Sequence, residues 1–156
     1  MLGNIANSCP LRFTPAVSIN LPATTQSGTN TWSAGTPDIT KRVLITGTYT
    51  VTSDISACSI EIQLGGSMIV TNNATVTVEG GITVNPLALP NAVVFENNTS
   101  LIQNSTSNTI NSGSIRYVRE SSPIIQYDYT YWSSPVDDQI IKSFSPNTNN
   151  ARFYTF

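Results

Sequence analysis

The sequence predicts an all-β protein built as a short-stranded β-solenoid, similar to a right-handed parallel β-helix. From Lys41 onward, short β-branched runs alternate with Asn, Gly and Ser residues, which is the rhythm of strands and turns. Apolar and polar residues alternate within Ser59–Leu64 and Thr75–Val78, so each of these strands buries one face. An antiparallel β-sandwich or jelly roll has the same rhythm and is the alternative architecture.

Weak self-similarity along the chain favours the solenoid over the sandwich. When the chain is shifted by 33 residues, Ser67–Ile69 aligns with Ser100–Ile102, and Gly80–Val84 aligns with Gly113–Tyr117. Repetition of this kind indicates coils that bury their apolar faces by stacking on one another. Asn72-Asn73 is typical of the tight corners of such coils, as is Asn97-Asn98, because Asn tolerates a left-handed backbone.

The chain divides by texture into three parts. We expect residues 1–30 to be a leader or linker with a single strand near 16–20, residues 31–119 to be the solenoid module, and residues 120–156 to be the start of a second, aromatic-rich β unit that is truncated. The N-terminus lacks a basic segment followed by an apolar one, so it does not match a signal peptide. We therefore expect a processed chain or a fragment.

Composition excludes several functional classes. Charged residues make up 10% of the chain, whereas Ser, Thr and Asn occupy 56 of its 156 positions, so the surface is polar but nearly uncharged. A net charge of −2 with scattered basic residues provides no patch for nucleic acid. The apolar runs are too short to span a membrane.

Catalytic constellations are missing from the sequence. The chain has no histidine, which removes Ser-His-Asp and Cys-His catalysis and the commonest transition-metal ligand. A carboxylate pair of the glycosidase type remains, but Glu61, Glu79 and Glu96 lie in or beside strands, where we expect a solvated face. We therefore predict that the protein is not an enzyme and carries no catalytic residue or cofactor.

Aromatic residues are the candidate ligand-binding positions, because Tyr and Trp rings stack on sugars or on a protein partner. These candidates are Trp32, Tyr127, Tyr129, Tyr131 and Trp132. Burial in a packing seam between the solenoid and the second unit is the alternative role for these rings.

Two further candidate features are a calcium site and a disulfide. Asp128, Asp137 and Asp138 are candidate Ca²⁺ ligands, although no calcium-loop motif accompanies them. Cys9 and Cys58 are the two cysteines, and they form either one disulfide or two buried thiols.

Five sequence blocks resemble, in order, large secreted or cell-surface proteins of Bacteroidetes of the Flavobacteria type that are exported by the type IX secretion system. The blocks are residues 31–38, 43–49, 57–60, 97–103 and 128–136, and the last, Asp-Tyr-Thr-Tyr-Trp-Ser-Ser-Pro-Val, is the most specific. The resemblance covers about residues 30–156. It implies a β-rich, adhesin-like architecture at the outer cell surface within a long multidomain chain, and it brings no established active site. We expect the C-terminal sorting domain of that family to be absent from this segment.

From these observations we expect a non-enzymatic extracellular structural or adhesin-like module of a larger surface protein. Its partners would be other modules of the same chain, other copies of itself, or surface glycans. The alternative is a carbohydrate-binding module that stacks sugars on Trp and Tyr. A third hypothesis, an ice-binding or flat-surface-binding solenoid, arises from the outward threonines of Thr48–Thr50 and Thr75–Thr77, but the 33-residue offset does not maintain a threonine ladder.

Overall fold

The computed structural model describes residues 23–27, 31–104, 111–123, 125, 131, 133 and 140–153. The chain forms two compact units, one ending at Glu120 and the other beginning at Ser121. The described part of the first unit is nearly all parallel β structure in about four stacked turns, which confirms the predicted β-solenoid.

Twelve short strands form the described part of the first unit. They are β1 (Ala23–Ser27), β2 (Thr31–Trp32), β3 (Arg42–Ile45), β4 (Thr48–Val51), β5 (Ile55–Ala57), β6 (Ser59–Ile62), β7 (Ser67–Val70), β8 (Thr75–Val78), β9 (Ile82–Val84), β10 (Val93–Phe95), β11 (Ser100–Gln103) and β12 (Arg116–Tyr117).

The strands form three sheets along the sides of the solenoid. Sheet I has the order β2-β1-β3-β6-β9, sheet II the order β12-β10-β7-β4, and sheet III the order β11-β8-β5. All pairs are parallel except β1 with β2, which is antiparallel. The chain passes from sheet I to II at the first corner, from II to III at the second, and from III back to I at the third.

Inward side chains of successive coils stack into apolar columns. The columns are Val43-Ile60-Ile82 and Ile45-Ile62-Val84 in sheet I, Tyr49-Met68-Val93 and Val51-Val70-Phe95-Tyr117 in sheet II, and Ile55-Val76-Leu101 in sheet III. Most of these side chains are at most 8% exposed. Alternation within each strand therefore produces a core only because the coils are in register, with apolar residues above apolar residues.

The coils differ in length, so the predicted 33-residue offset is wrong. Arg42 pairs with Ser59, 17 residues later, whereas Thr83 bridges to Ser112, 29 residues later. Leu101, which the offset aligned with Met68, pairs with Val76 instead. The three-sheet cross-section is kept constant by the strands, while the corners absorb the difference in length.

Asparagines occupy left-handed corner positions, as the sequence predicts. Asn72 and Asn73 have φ angles of 55° and 58°, and Asn98 has a φ angle of 64°. Asn91, at the first corner, has the same conformation at 60°. Asn97 differs, because its backbone is not in this region and its side chain instead accepts a hydrogen bond from the Glu120 amide.

The solenoid begins before the predicted boundary at residue 31. β1 lies in the Thr/Ser-rich stretch that the sequence indicated as linker, and it pairs in parallel with β3. The buried Thr24 hydroxyl donates to the carbonyl of Gly35 at 2.7 Å, so a polar residue occupies an inward position without an unpaired group. The expected strand near 16–20 lies outside the described residues.

The second unit, taken by itself, has helical elements among its described residues. A short helix α1 spans Ile141–Phe144, and a 3-10 helix spans Asn150–Arg152. We predicted a second β unit, but no strand is present in the described part of residues 121–156. The tyrosine-rich residues that motivated that prediction, 127–130, lie outside the described residues.

Candidate functional site

Trp32 is the one candidate from the first unit, and it closes the N-terminal end of the core. It lies on β2, half-buried, with its ring edge-to-face on Tyr49 at a centroid distance of 4.9 Å. The ring packs against the hydrophobic core, so most of its apolar area is already used. Burial raises the pKa of the Tyr49 phenol, which keeps this partner neutral.

The remaining aromatic candidates belong to the second unit. Tyr131 is 85% exposed and therefore offers its ring to solvent. Tyr127, Tyr129 and Trp132 lie outside the described residues. Of the predicted ligand-binding rings, the structure therefore describes one in each unit.

Acidic side chains of the solenoid are dispersed over different sides. Glu61 points outward from sheet I and pairs with Arg42 at 3.0 Å. Glu79 lies at the third corner, where its carboxylate accepts a hydrogen bond from the side-chain amide of Asn104 at 2.6 Å. Glu96 lies at the second corner. Glu61 and Glu79 are thus each bonded to a different partner on a different part of the solenoid.

No metal centre appears in the part of the chain that the structure describes. Within those ranges, no three His, Cys, Asp or Glu side chains form a group that could hold an ion. The candidate calcium ligands Asp128, Asp137 and Asp138 lie outside the described residues and stay predictions.

One carboxylate is strongly perturbed, for a local structural reason. Asp38 forms an ion pair with Lys41 at 2.6 Å and accepts hydrogen bonds from the Thr40 amide and hydroxyl. These contacts, the Lys41 bond above all, lower the pKa of Asp38 to about 2. Lys41 also donates to the Thr36 carbonyl, so the cluster fixes the turn that leads into β3.

Cys58 is buried at the third corner and is disulfide-bonded. Its amide donates to the Lys41 carbonyl at 2.8 Å, and its carbonyl accepts from Gly80, so its backbone is held by the coils on both sides. Cys9, the other cysteine of the sequence, lies outside the described residues.

The first corner carries an apolar surface that sequence reasoning missed. Leu64 is 62% exposed, and Leu87 and Leu89 are each 76% exposed on the next coil. The longer loop is ordered by backbone bonds from Ala88 to Asn85 and from Ala92 to Leu89, and by the Asn85 side chain. We call Leu64, Leu87 and Leu89 the leucine corner. The motif Pro86-Leu87-Ala88-Leu89-Pro90 was its sequence signal, since the flanking prolines exclude a central strand.

The outward rows do not form a repeated threonine array. In sheet III, Thr75 lies beside Ser100, and Thr77 lies between Ser56 and Ile102. In sheet II, Thr50 is followed by Ile69 and Val94. These outward threonines therefore have serine or apolar residues beside them on neighbouring coils, not further threonines.

Fold and surface define the first unit as a small parallel β-solenoid with a filled core. Residues 23–156 match the family described as Domain of unknown function (DUF8693), and the chain belongs to this family. The match begins at the first residue of β1 and spans both units. No curated protein and no solved structure matches the chain. Among the described residues, no helix is both long enough and apolar enough to cross a membrane.

Proposed function

We propose that the chain is a non-enzymatic structural, adhesin-like module of a larger protein at the outer cell surface. The observation that carries this proposal is the uninterrupted set of inward columns, in which Phe95, Met68 and Val76 are completely buried. A solenoid filled in this way is a stiff unit whose stability comes from neighbouring coils. Its sides carry few charged residues and many polar ones.

An extracellular location is supported by sulfur chemistry and by resemblance. A buried disulfide at Cys58 forms and persists in oxidising compartments and is rare in the cytosol. The ordered blocks that resemble type IX-exported Bacteroidetes proteins support the same location and membership of a longer chain.

The adhesive part of the proposal rests on the leucine corner. Monomeric proteins expose scattered leucines, but several on adjacent turns of one edge are typical of a contact surface for another protein. No charged residue lies between Gly80 and Phe95, so an apolar partner meets no unpaired charge along this loop.

The test is a surface-binding measurement on matched variants. The double variant Leu87→Ser/Leu89→Ser should reduce adhesion of the purified chain to cells or to surface-protein extracts about tenfold or more. Ile102→Ser, which alters an exposed apolar residue on sheet III, is the control and should bind as the parent does. Equal binding by all three proteins would contradict an adhesive role for this corner.

Carbohydrate binding is the second candidate function, favoured by the exposed ring of Tyr131 in the Tyr/Trp-rich segment. Trp132→Ala and Tyr129→Ala should abolish glycan binding without unfolding the chain. A blank glycan array at high protein concentration would remove this candidate. The mixed outward rows argue against the ice-binding hypothesis, and the absence of thermal hysteresis would dispose of it.

Sedimentation velocity with and without soluble glycans and Ca²⁺ separates the remaining partners. Growth in size with protein concentration alone supports contacts between copies of the chain. A shift that requires one glycan supports the binding module, and a shift that requires Ca²⁺ supports the carboxylate candidates of the second unit.

A further inference from the structure

The second corner shows how a backbone amide of one coil normally donates a hydrogen bond to a carbonyl of the coil below it. Thr75 pairs with Ser100, so Ala74 and Thr99 occupy equivalent positions on successive coils. The Ala74 carbonyl accepts the Ser100 amide of the coil above at 3.1 Å. The Thr99 carbonyl therefore requires an equivalent donor from above if it is to be satisfied in the same way.

Two side chains supply that donor in place of a further coil. The Tyr117 hydroxyl donates a hydrogen bond to the Thr99 carbonyl at 3.0 Å, and Nη2 of Arg119 donates a second hydrogen bond to the same oxygen. Arg119 also donates through Nη1 to the carbonyls of Val118 at 2.8 Å and Glu96 at 3.3 Å. A single guanidinium thus serves three carbonyls at the C-terminal end of the solenoid.

The same two residues close the end of the apolar core. Tyr117 stacks on the completely buried Phe95, with centroids 5.2 Å apart and planes 16° from parallel. The Arg119 guanidinium lies over the Tyr117 ring at 4.0 Å. This column passes from a buried hydrocarbon ring through an amphipathic ring to an exposed cation, which is the order needed between core and water.

The opposite end is closed differently, so the two ends do not match. β2 runs antiparallel to β1 at the N-terminal edge of sheet I, and Trp32 covers Tyr49 there. The three sheets have five, four and three strands, respectively. The described edges of the three sheets are therefore not equivalent at the two ends of the solenoid.

We propose that Tyr117 and Arg119 form a terminal cap that replaces a further coil and ends the solenoid at this point. The module is then a closed unit that neither a following coil nor a second copy continues. A structural module and a glycan-binding module would both require a closed end, so this proposal does not depend on the proposed function.

The first test measures amide hydrogen exchange in Arg119→Ala, with Arg116→Ala as the matched control. Arg116 is also exposed but points outward from β12 and forms no part of the cap. Arg119→Ala should exchange about tenfold faster across Ser100–Gln103, because the Thr99 and Glu96 carbonyls of the corner that leads into this strand lose their Arg119 donors. The amides of β6 and β7, which belong to the coil below that of β11, should be unchanged, and Arg116→Ala should match the parent throughout.

Milder variants and a second measurement complete the test. Tyr117→Phe keeps the ring column but loses the hydroxyl, so it should show a smaller, equally local increase, and it serves if Arg119→Ala does not fold. In sedimentation velocity, the parent should not form open-ended chains whose length grows with protein concentration. Exchange that rises equally in all coils, an Arg119→Ala profile like that of Arg116→Ala, or concentration-dependent chains of the parent would each overturn the cap.

Discussion

At the residue scale, close backbone approach decides which side chains the corners accept. Gly66 is buried at the first corner, and a Cβ placed there would lie 2.1 Å from the Ile45 carbonyl oxygen of the coil below. Its neighbour Gly65 has a left-handed φ of 82° but has open space around it. Two adjacent glycines are therefore required for different reasons, one steric and one conformational.

Gly66→Ala should lower the free energy of unfolding by about 3 kcal/mol, because the coils must separate to admit the methyl group. Gly65→Ala should cost only about 1 kcal/mol, the price of a left-handed alanine. Urea unfolding of both variants measures the difference. An equal loss in the two variants would show that coil contact at Gly66 is not the limiting feature.

Asp38 should make stability depend on pH in the acidic range. Its folded pKa of about 2 lies below the ordinary aspartate value of 3.8, so its contribution to stability is fully present above pH 3.8 and is lost as pH falls toward 2. Chemical denaturation from pH 7 to pH 2 should show this decrease, and Asp38→Asn should lack that component. A parent and variant with parallel pH profiles would contradict the assignment.

At the element scale, each strand contributes an inward and an outward side chain with very different consequences. Met68 of β7 is fully buried between Tyr49 and Val93, whereas Ile69 faces outward and is half-buried. Because Tyr49 and Val93 pack against Met68 from the neighbouring coils, neighbouring side chains cannot move in to fill the cavity that a smaller residue would leave.

Met68→Ala should therefore cost about 2–5 kcal/mol, and Ile69→Ala less than about 1.5 kcal/mol. Thermal and urea unfolding of the pair give the comparison on one strand with adjacent residues. A larger loss at Ile69 than at Met68 would mean that the register of β7 is displaced by one residue.

At the scale of the whole molecule, stability combines stacked coils, end closure and a covalent tether. The chain has no long-range charge network within its described part, where the ion pairs are Lys41–Asp38 and Arg42–Glu61. The columns of the core and the disulfide at Cys58 therefore dominate the balance against chain entropy.

Reduction of that disulfide should lower the free energy of unfolding by about 2–5 kcal/mol, because the unfolded chain gains freedom. Mass spectrometry after alkylation should find no free thiol in the native protein without reductant. Alkylation of Cys9 without reduction would contradict a bridge between the two cysteines. The variant Cys9→Ser/Cys58→Ser should unfold as the reduced protein does.

The sequence by itself determined the elements: alternation in Thr75–Val78 identified half-buried strands, and Asn72-Asn73 identified a left-handed corner. These signals are local, since they depend on the geometry of one strand or one turn. The pairing of coils was decided only in three dimensions, because coils of unequal length hide their register from any fixed offset. The same holds for β1, the leucine corner and the cap of Tyr117 and Arg119, whose roles depend on contacts between residues that are distant in the chain or on exposure in the folded protein.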